Sequence, residues 1–131
     1  MKHTTLHMIG NAHLDPVWLW RWQEGFQAAK ATFRSALDLM CEFDDFVFTS
    51  SSAAMYEWIE LNDPPMFREI QARVAEGRWQ IVGGWWIQPD CNLPGGESFV
   101  RQCCTASATS TPSSARAPRL AIMSTALGIM R

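Results

Sequence analysis

No stretch of the 131-residue chain approaches the roughly 20 apolar residues that a bilayer span needs. A signal-peptide core is missing too: Met1-Lys2-His3-Thr4-Thr5-Leu6 leads into a short apolar run broken by Asn11 and His13. There is no basic surplus. Lys and Arg number 11 against 13 Asp and Glu, a net charge of −2, which excludes the electrostatic footprint of a nucleic-acid binder. Nor is there a CxxC knuckle or a spaced disulfide framework, because of four cysteines Cys41 and Cys91 stand alone and Cys103-Cys104 are adjacent. Free thiols in a reducing compartment are expected, and the chain reads as cytoplasmic, with neither membrane nor nucleic acid as partner. The length suits one domain or part of a larger one, and nothing in it fixes an oligomeric state.

What is abundant is tryptophan. All seven fall between Trp18 and Trp86. The indole combines large buried area with one donor, so such a cluster marks either a heavy core or a cleft where flat rings stack on sugar faces. After Gln102 the character changes: from Cys103 to Pro118 there is no aromatic and no acidic residue, only small polar residues, Ala, Pro and one Arg. A tract like this cannot bury enough surface to offset chain entropy, and disorder is expected from residue 103 to 131.

Residues 1–102 read as α/β. Leu6-His7-Met8-Ile9, closed by Gly10, has the pattern of a short buried strand delivering Asn11, His13 and Asp15 to a loop at its carboxyl end. From Trp18 to about Met40 apolar residues recur at helical spacing, with Phe26, Ala29, Phe33, Ala36, Leu37 and Met40 on or near one face. Phe46-Val47-Phe48 is a second strand, with Ser50-Ser51-Ser52 as a loop and helix cap. A short helix over Ala53 to Leu61 should stop at Asn62-Asp63-Pro64-Pro65. A further helix from Met66 to Ala75 ends near Gly77, and Trp79-Gln80-Ile81-Val82 is a third strand closed by Gly83-Gly84. Alternating strands and helices imply parallel pairing, with ligands at the carboxyl ends of the strands.

His13-Leu14-Asp15 places an imidazole and a carboxylate two residues apart, on one side of extended chain, where they can converge on a cation. Nitrogen plus oxygen donors suit zinc, manganese or iron better than calcium or magnesium. The spacing is common, and most such pairs are surface hydrogen bonds or helix caps. Trp18 and Trp20 have two readings as well, core on a helix face or the floor of a sugar site. Asp90, Asn92 and Glu97 lie in a proline-containing loop that is either plain solvated surface or part of a site.

Two blocks bear on the readings of His13, Asp15 and Trp18, and leave the individual roles of Asp90, Asn92 and Glu97 open. His13-Leu14-Asp15-Pro16-Val17-Trp18-Leu19-Trp20 and the stretch from Gly83-Gly84-Trp85-Trp86 through Asp90-Cys91-Asn92-Leu93-Pro94-Gly95-Gly96-Glu97 to Arg101-Gln102 resemble the start of glycoside hydrolase family 38, the retaining α-mannosidases, particularly the bacterial type. The resemblance covers roughly residues 6 to 102. It implies an incomplete, parallel-stranded β/α barrel-like catalytic domain that hydrolyses terminal α-mannosyl residues of glycans with one zinc ion. It also implies that His13 and Asp15 are two of the zinc ligands and that Trp18 stacks under the mannose held at zinc. In the family a further aspartate and histidine complete the zinc site, that aspartate is the nucleophile, and another carboxylic acid protonates the leaving oxygen. All of these belong downstream of the second block, so no catalytic residue is expected in this chain. Two other classes of function stand beside this one. They are a different metal-dependent carbohydrate hydrolase, such as a deacetylase using His-x-Asp, and a non-catalytic sugar-binding piece using Trp18, Trp85 or Trp86.

After Gln102 the family continues with a tract like Leu-Tyr-Gly-Gln-Arg-Tyr-Phe and then Gly-Tyr-Asn-x-Asp-Ser-Phe-Gly-His. Neither is visible here. A choice of ordinary synonymous codons exists, however, with which Cys103 through Thr109 can encode the first tract in a displaced frame and Leu120 through Met130 the second, the missing aspartate straddling Ser124 and Thr125. The expectation is that residues 103–131 derive from a frameshift near the codons of Gln102 and Cys103, leaving an inactive fragment. Its parallel sheet would have an open edge, which favours aggregation.

Overall fold

The computed structural model describes residues 4–110. Its elements are β1 (Gly10–Asn11), α1 (Trp22–Glu42), β2 (Phe48–Ser50), α2 (Ala53–Asn62), α3 (Pro64–Ala75), β3 (Trp79–Ile81) and α4 (Gly96–Ser110). The strands form one parallel sheet in the order β1-β2-β3, with Gly10 opposite Phe48 and Phe48 opposite Trp79. This is the mixed α/β arrangement that the alternation of strand and helix implies.

The core lies between the sheet and the helices, and aromatic rings organise it. Phe33 of α1 meets Tyr56 of α2 at 5.3 Å and the edge of Trp79 at 5.2 Å, and Phe48 meets Trp79 at 4.8 Å between ring centroids. Trp79 Nε1 donates to Tyr56 Oη at 3.0 Å, and Tyr56 Oη donates to the Ser50 carbonyl at 3.2 Å. The polar ends of both buried rings are thereby satisfied, and α2, β2 and β3 are joined at one point. Arg78 adds a second fastening. Its guanidinium donates to the carbonyls of Met40, Phe43 and Phe46, which ties the carboxyl end of α1 to the start of β3.

Helix α1 buries Ala29, Phe33, Ala36, Leu37 and Met40, the stripe expected from the spacing, and Phe26 packs against it half-buried. It starts at Trp22 rather than Trp18, because Glu24 accepts from the Arg21 backbone N–H at 2.9 Å and fixes the first turn there. Residues Pro16 to Trp20 therefore form a bend rather than helix. At the other end of the sheet, Gly77 takes φ 76° and α3 closes with Gly77 N–H on Val74 and Arg78 N–H on Arg73, both at 3.0 Å. That left-handed closure suits glycine and feeds the chain into β3.

Three expectations need correction. Leu6, Met8 and Ile9 are not a buried strand, being 82%, 91% and 58% exposed, and pairing begins only at Gly10. Apolar character alone does not bury a segment, and β1 pairs on one side only among the described residues. Helix α3 begins at Pro64 rather than Met66, since Asp63 Oδ1 accepts from Met66 N–H at 3.2 Å and proline is tolerated in a first turn. Residues 103–110 are not disordered. Helix α4 crosses the Gln102–Cys103 junction to Ser110 and buries Ala106 against the core. Alanine-rich sequence carries a helix well once an ordered turn precedes it. Residues 111–131, also expected to be disordered, lie outside the described residues. No helix among the described residues is long and apolar enough to cross a membrane.

Candidate functional site

A cleft of about 540 Å³ opens at the carboxyl ends of the three strands, walled by Asn11, His13, Ser51, Ser52, Trp85 and Phe99 among others. In parallel sheets this is where ligands collect, because each strand hands its next residues to that rim.

From β1 the chain leaves extended. Ala12 and Leu14 pack against the core, so His13 and Asp15 between and beyond them turn outward, as the period of two requires. The strand end is held by Asn11, whose Nδ2 donates to Thr49 O at 3.2 Å and to Thr49 Oγ1 at 2.9 Å. Thr49 Oγ1 in turn donates to the Gly10 carbonyl. His13 Nε2 and Asp15 Oδ1 then stand 3.2 Å apart, with both side chains open to solvent. Two donors on one tetrahedral zinc, with bonds of about 2.0–2.1 Å, lie roughly 3.3 Å from each other. At this distance the two form a direct ion pair when the imidazole is protonated, and the spacing is equally that of two donors sharing one ion. Among the described residues no third His, Cys, Asp or Glu joins it.

The loop carrying the pair is tied back by Trp20, whose Nε1 donates to the Asp15 carbonyl at 3.3 Å. Trp18 is 68% exposed and stands outside the walls of the cleft, over an open depression shared with Leu19, Trp20 and Arg21. It is exposed rather than core.

From β3 the chain turns through Gly83 and Gly84, at φ 92° and 68°, conformations that favour glycine. The turn lays the Trp85 and Trp86 carbonyls against the start of α2, where they accept from Ala53 and Ala54 N–H at 3.0 Å. Ser52 holds the N-cap position of α2, but its side chain makes no capping bond and its φ is 70°. The Ser50–Ser52 cap expected from the sequence is thus supplied by the tryptophan carbonyls. A non-glycine residue held at positive φ on the wall of a cleft carries strain that its surroundings enforce. Trp85 meets Phe99 of α4 edge-on at 5.8 Å, and Gln102 Oε1 accepts from Ile87 N–H at 2.9 Å. The second block thereby becomes one wall of the cleft.

Of the polar residues in that block, Asp90 accepts from Asn92 N–H at 2.7 Å in a local turn, and Glu97 pairs with Arg101 on the exposed face of α4. Gln88, Pro89 and Cys91 face the cleft instead. Sequence reasoning missed Cys91 and Phe99, whose positions follow from the turn at Gly83-Gly84.

Comparison with known proteins identifies the family. A family-wide sequence model, the glycosyl hydrolases family 38 N-terminal domain, matches residues 3–110. The chain is 37% identical over 98 residues to alpha-mannosidase 2C1 of Homo sapiens, which covers 75% of this chain and 9% of that protein. It is 34% identical over 101 residues to alpha-mannosidase G of Dictyostelium discoideum, covering 77% and 9%. It is 32% identical over 100 residues to the alpha-mannosidase of Saccharomyces cerevisiae, covering 76% and 9%. The chain thus spans about a tenth of the length of the curated relatives it matches. With its matched region embracing the sheet, the His13–Asp15 loop and the tryptophan wall, the chain belongs to the family 38 glycosyl hydrolases, as part of their N-terminal domain.

Proposed function

We propose that the chain is the opening part of a zinc-dependent, retaining α-mannosidase acting on α-mannosides of glycans, and that the chain itself is catalytically inactive. The single observation that carries the metal reading is the His13–Asp15 pair, 3.2 Å apart at the carboxyl rim of a parallel sheet. Zinc, when bound, would supply a Lewis-acid hold on sugar hydroxyls. His13 and Asp15 would each contribute one donor, Asn11 would hold their loop at the strand end, and the exposed Trp18 would stack on the sugar ring. Two protein donors are fewer than the three or four of a zinc site, so this chain should hold the ion weakly. The three parallel strands would open a larger barrel-like sheet. The exposed thiols of Cys41, Cys91, Cys103 and Cys104 support a reducing, cytoplasmic setting.

We attribute residues 103–131 to a shifted reading frame, a reading that rests on the two displaced-frame tracts at Cys103 to Thr109 and Leu120 to Met130. Purified chain, assayed on an aryl α-mannoside with added zinc or cobalt, should show no turnover. A gene restored by one base near the Gln102 codon should yield chelator-sensitive activity. Turnover by the unrepaired chain that a chelator removes would defeat the claim of inactivity. A stop codon immediately after the repaired tract would defeat the shifted frame.

A further inference from the structure

Glycine is the poorest helix former after proline, yet Gly25 sits buried in the second turn of α1. The reason lies across the helix surface. A Cβ built on Gly25 would fall 2.1 Å from the Pro16 carbonyl oxygen, 2.8 Å from its carbon and 3.2 Å from its Cα. These are backbone atoms, with no flexible side chain to swing aside. Ordinary contact begins near 3.4 Å, so even one methyl group would force Pro16 off the helix by roughly 1 Å. Pro16 directly follows Asp15, whose carbonyl is the acceptor for Trp20 Nε1. A shift of that size at Pro16 is passed to Asp15 and to the 3.2 Å spacing between its carboxylate and His13. Paired ligands tolerate only about 0.5 Å before their common geometry is lost.

We infer that Gly25 is a positioning residue. Its missing side chain seats the backbone of Pro16 directly on α1 and thereby sets the position of Asp15 relative to His13 at the rim of the cleft. The inference rests on the reading of that pair as metal ligands for its function, and on geometry alone for the placement.

The full chain and its Gly25→Ala variant test both parts. By helix propensity alone the substitution should leave the melting temperature unchanged or raise it. The positioning role instead predicts a local effect in ¹⁵N-labelled protein. The Trp20 indole N–H resonance should move and exchange with solvent at least tenfold faster, while the Trp79 indole, bonded to Tyr56 in the core, stays in place. Zinc affinity, read by competition with a chromogenic chelator, should fall at least tenfold. An unmoved Trp20 resonance overturns the placement. A moved resonance with unchanged zinc affinity, in a wild-type chain whose affinity falls on His13→Ala, overturns the role toward metal. If His13→Ala leaves wild-type zinc affinity unchanged, the metal reading of the site fails, and the Trp20 resonance still decides the placement. Should Gly25→Ala not fold, nuclear Overhauser contacts between Gly25 and Pro16 α-protons in the unaltered chain take its place, and their absence overturns the inference.

Discussion

Tyr56 is the only tyrosine of the chain and is buried, with its phenol between the Trp79 indole and the Ser50 carbonyl. Burial disfavours the phenolate and pushes its pKa up to about 12, although the Trp79 N–H, which favours the anion, offsets part of this. The unfolded chain loses this proton near pH 10 while the folded chain keeps it. Stability is therefore intact below pH 10 and falls as pH rises toward 12, by about 1.4 kcal/mol per unit. Because no other tyrosine contributes, phenolate absorbance reads this residue alone. Its midpoint should lie near 12 in the native chain and near 10 in denaturant, and coinciding midpoints would show an open core. Tyr56→Phe should abolish that alkaline slope while costing about 1–3 kcal/mol, since the Trp79 N–H loses its buried acceptor.

At the scale of elements, the joint between α2 and α3 depends on one side chain. Asp63 caps α3 through Met66 N–H, and Lys30 of α1 pairs with its other carboxylate oxygen at 2.9 Å. The Lys30 bond first, and the Met66 bond second, hold its pKa below the ordinary carboxylate value. A lowered folded pKa gives stability that is complete above the unfolded value near 4 and is lost as pH falls through the folded one. Asp63→Ala should lower stability by about 1 kcal/mol in urea at neutral pH. Asp63→Asn should keep most of the cap, lose the ion pair and fall between the two. Equal midpoints for all three proteins would contradict the assignment. This joint also shows what the sequence could disclose. Prolines at 64 and 65 announce a break after α2, but the same residues fit the first turn of the next helix, and only the Asp63 bond fixes where α3 begins. The stripe of α1 was legible because six positions repeat one period over a long helix. The strand at Leu6 to Ile9 was misplaced because a short apolar run has no period, and burial depends on neighbours that sequence does not name. The site was legible in part for the same reason. His13 and Asp15 announce themselves by side-chain chemistry, whereas Ser52 and Gly25 matter through backbone angle and close approach, which residue type alone does not reveal.

Taken as a whole molecule, the described chain leaves apolar side chains exposed on both sides of β1 in the sequence. Leu6, Met8 and Ile9 lie exposed before β1, and Val17, Trp18 and Leu19 lie exposed beyond it. Beside them runs a strand edge that no other described strand covers. Exposed apolar surface next to an unpaired edge recruits other chains. Sedimentation should show mass rising with concentration in the micromolar range. Ile9→Lys combined with Leu19→Lys should suppress this without altering the Tyr56 absorbance titration. A wild-type chain that stays monomeric throughout would show that this surface is covered.

The tryptophan carbonyls at the start of α2 also bear on what kind of molecule the cleft can welcome. In many parallel-sheet proteins the first turn of a helix at this rim presents bare N–H groups, and these make a cradle for phosphate. Here the N–H groups of Ala53 and Ala54 are already spoken for by Trp85 and Trp86. A negatively charged guest would find these two donors already carbonyl-bound, so this helix start is not a bare anion cradle.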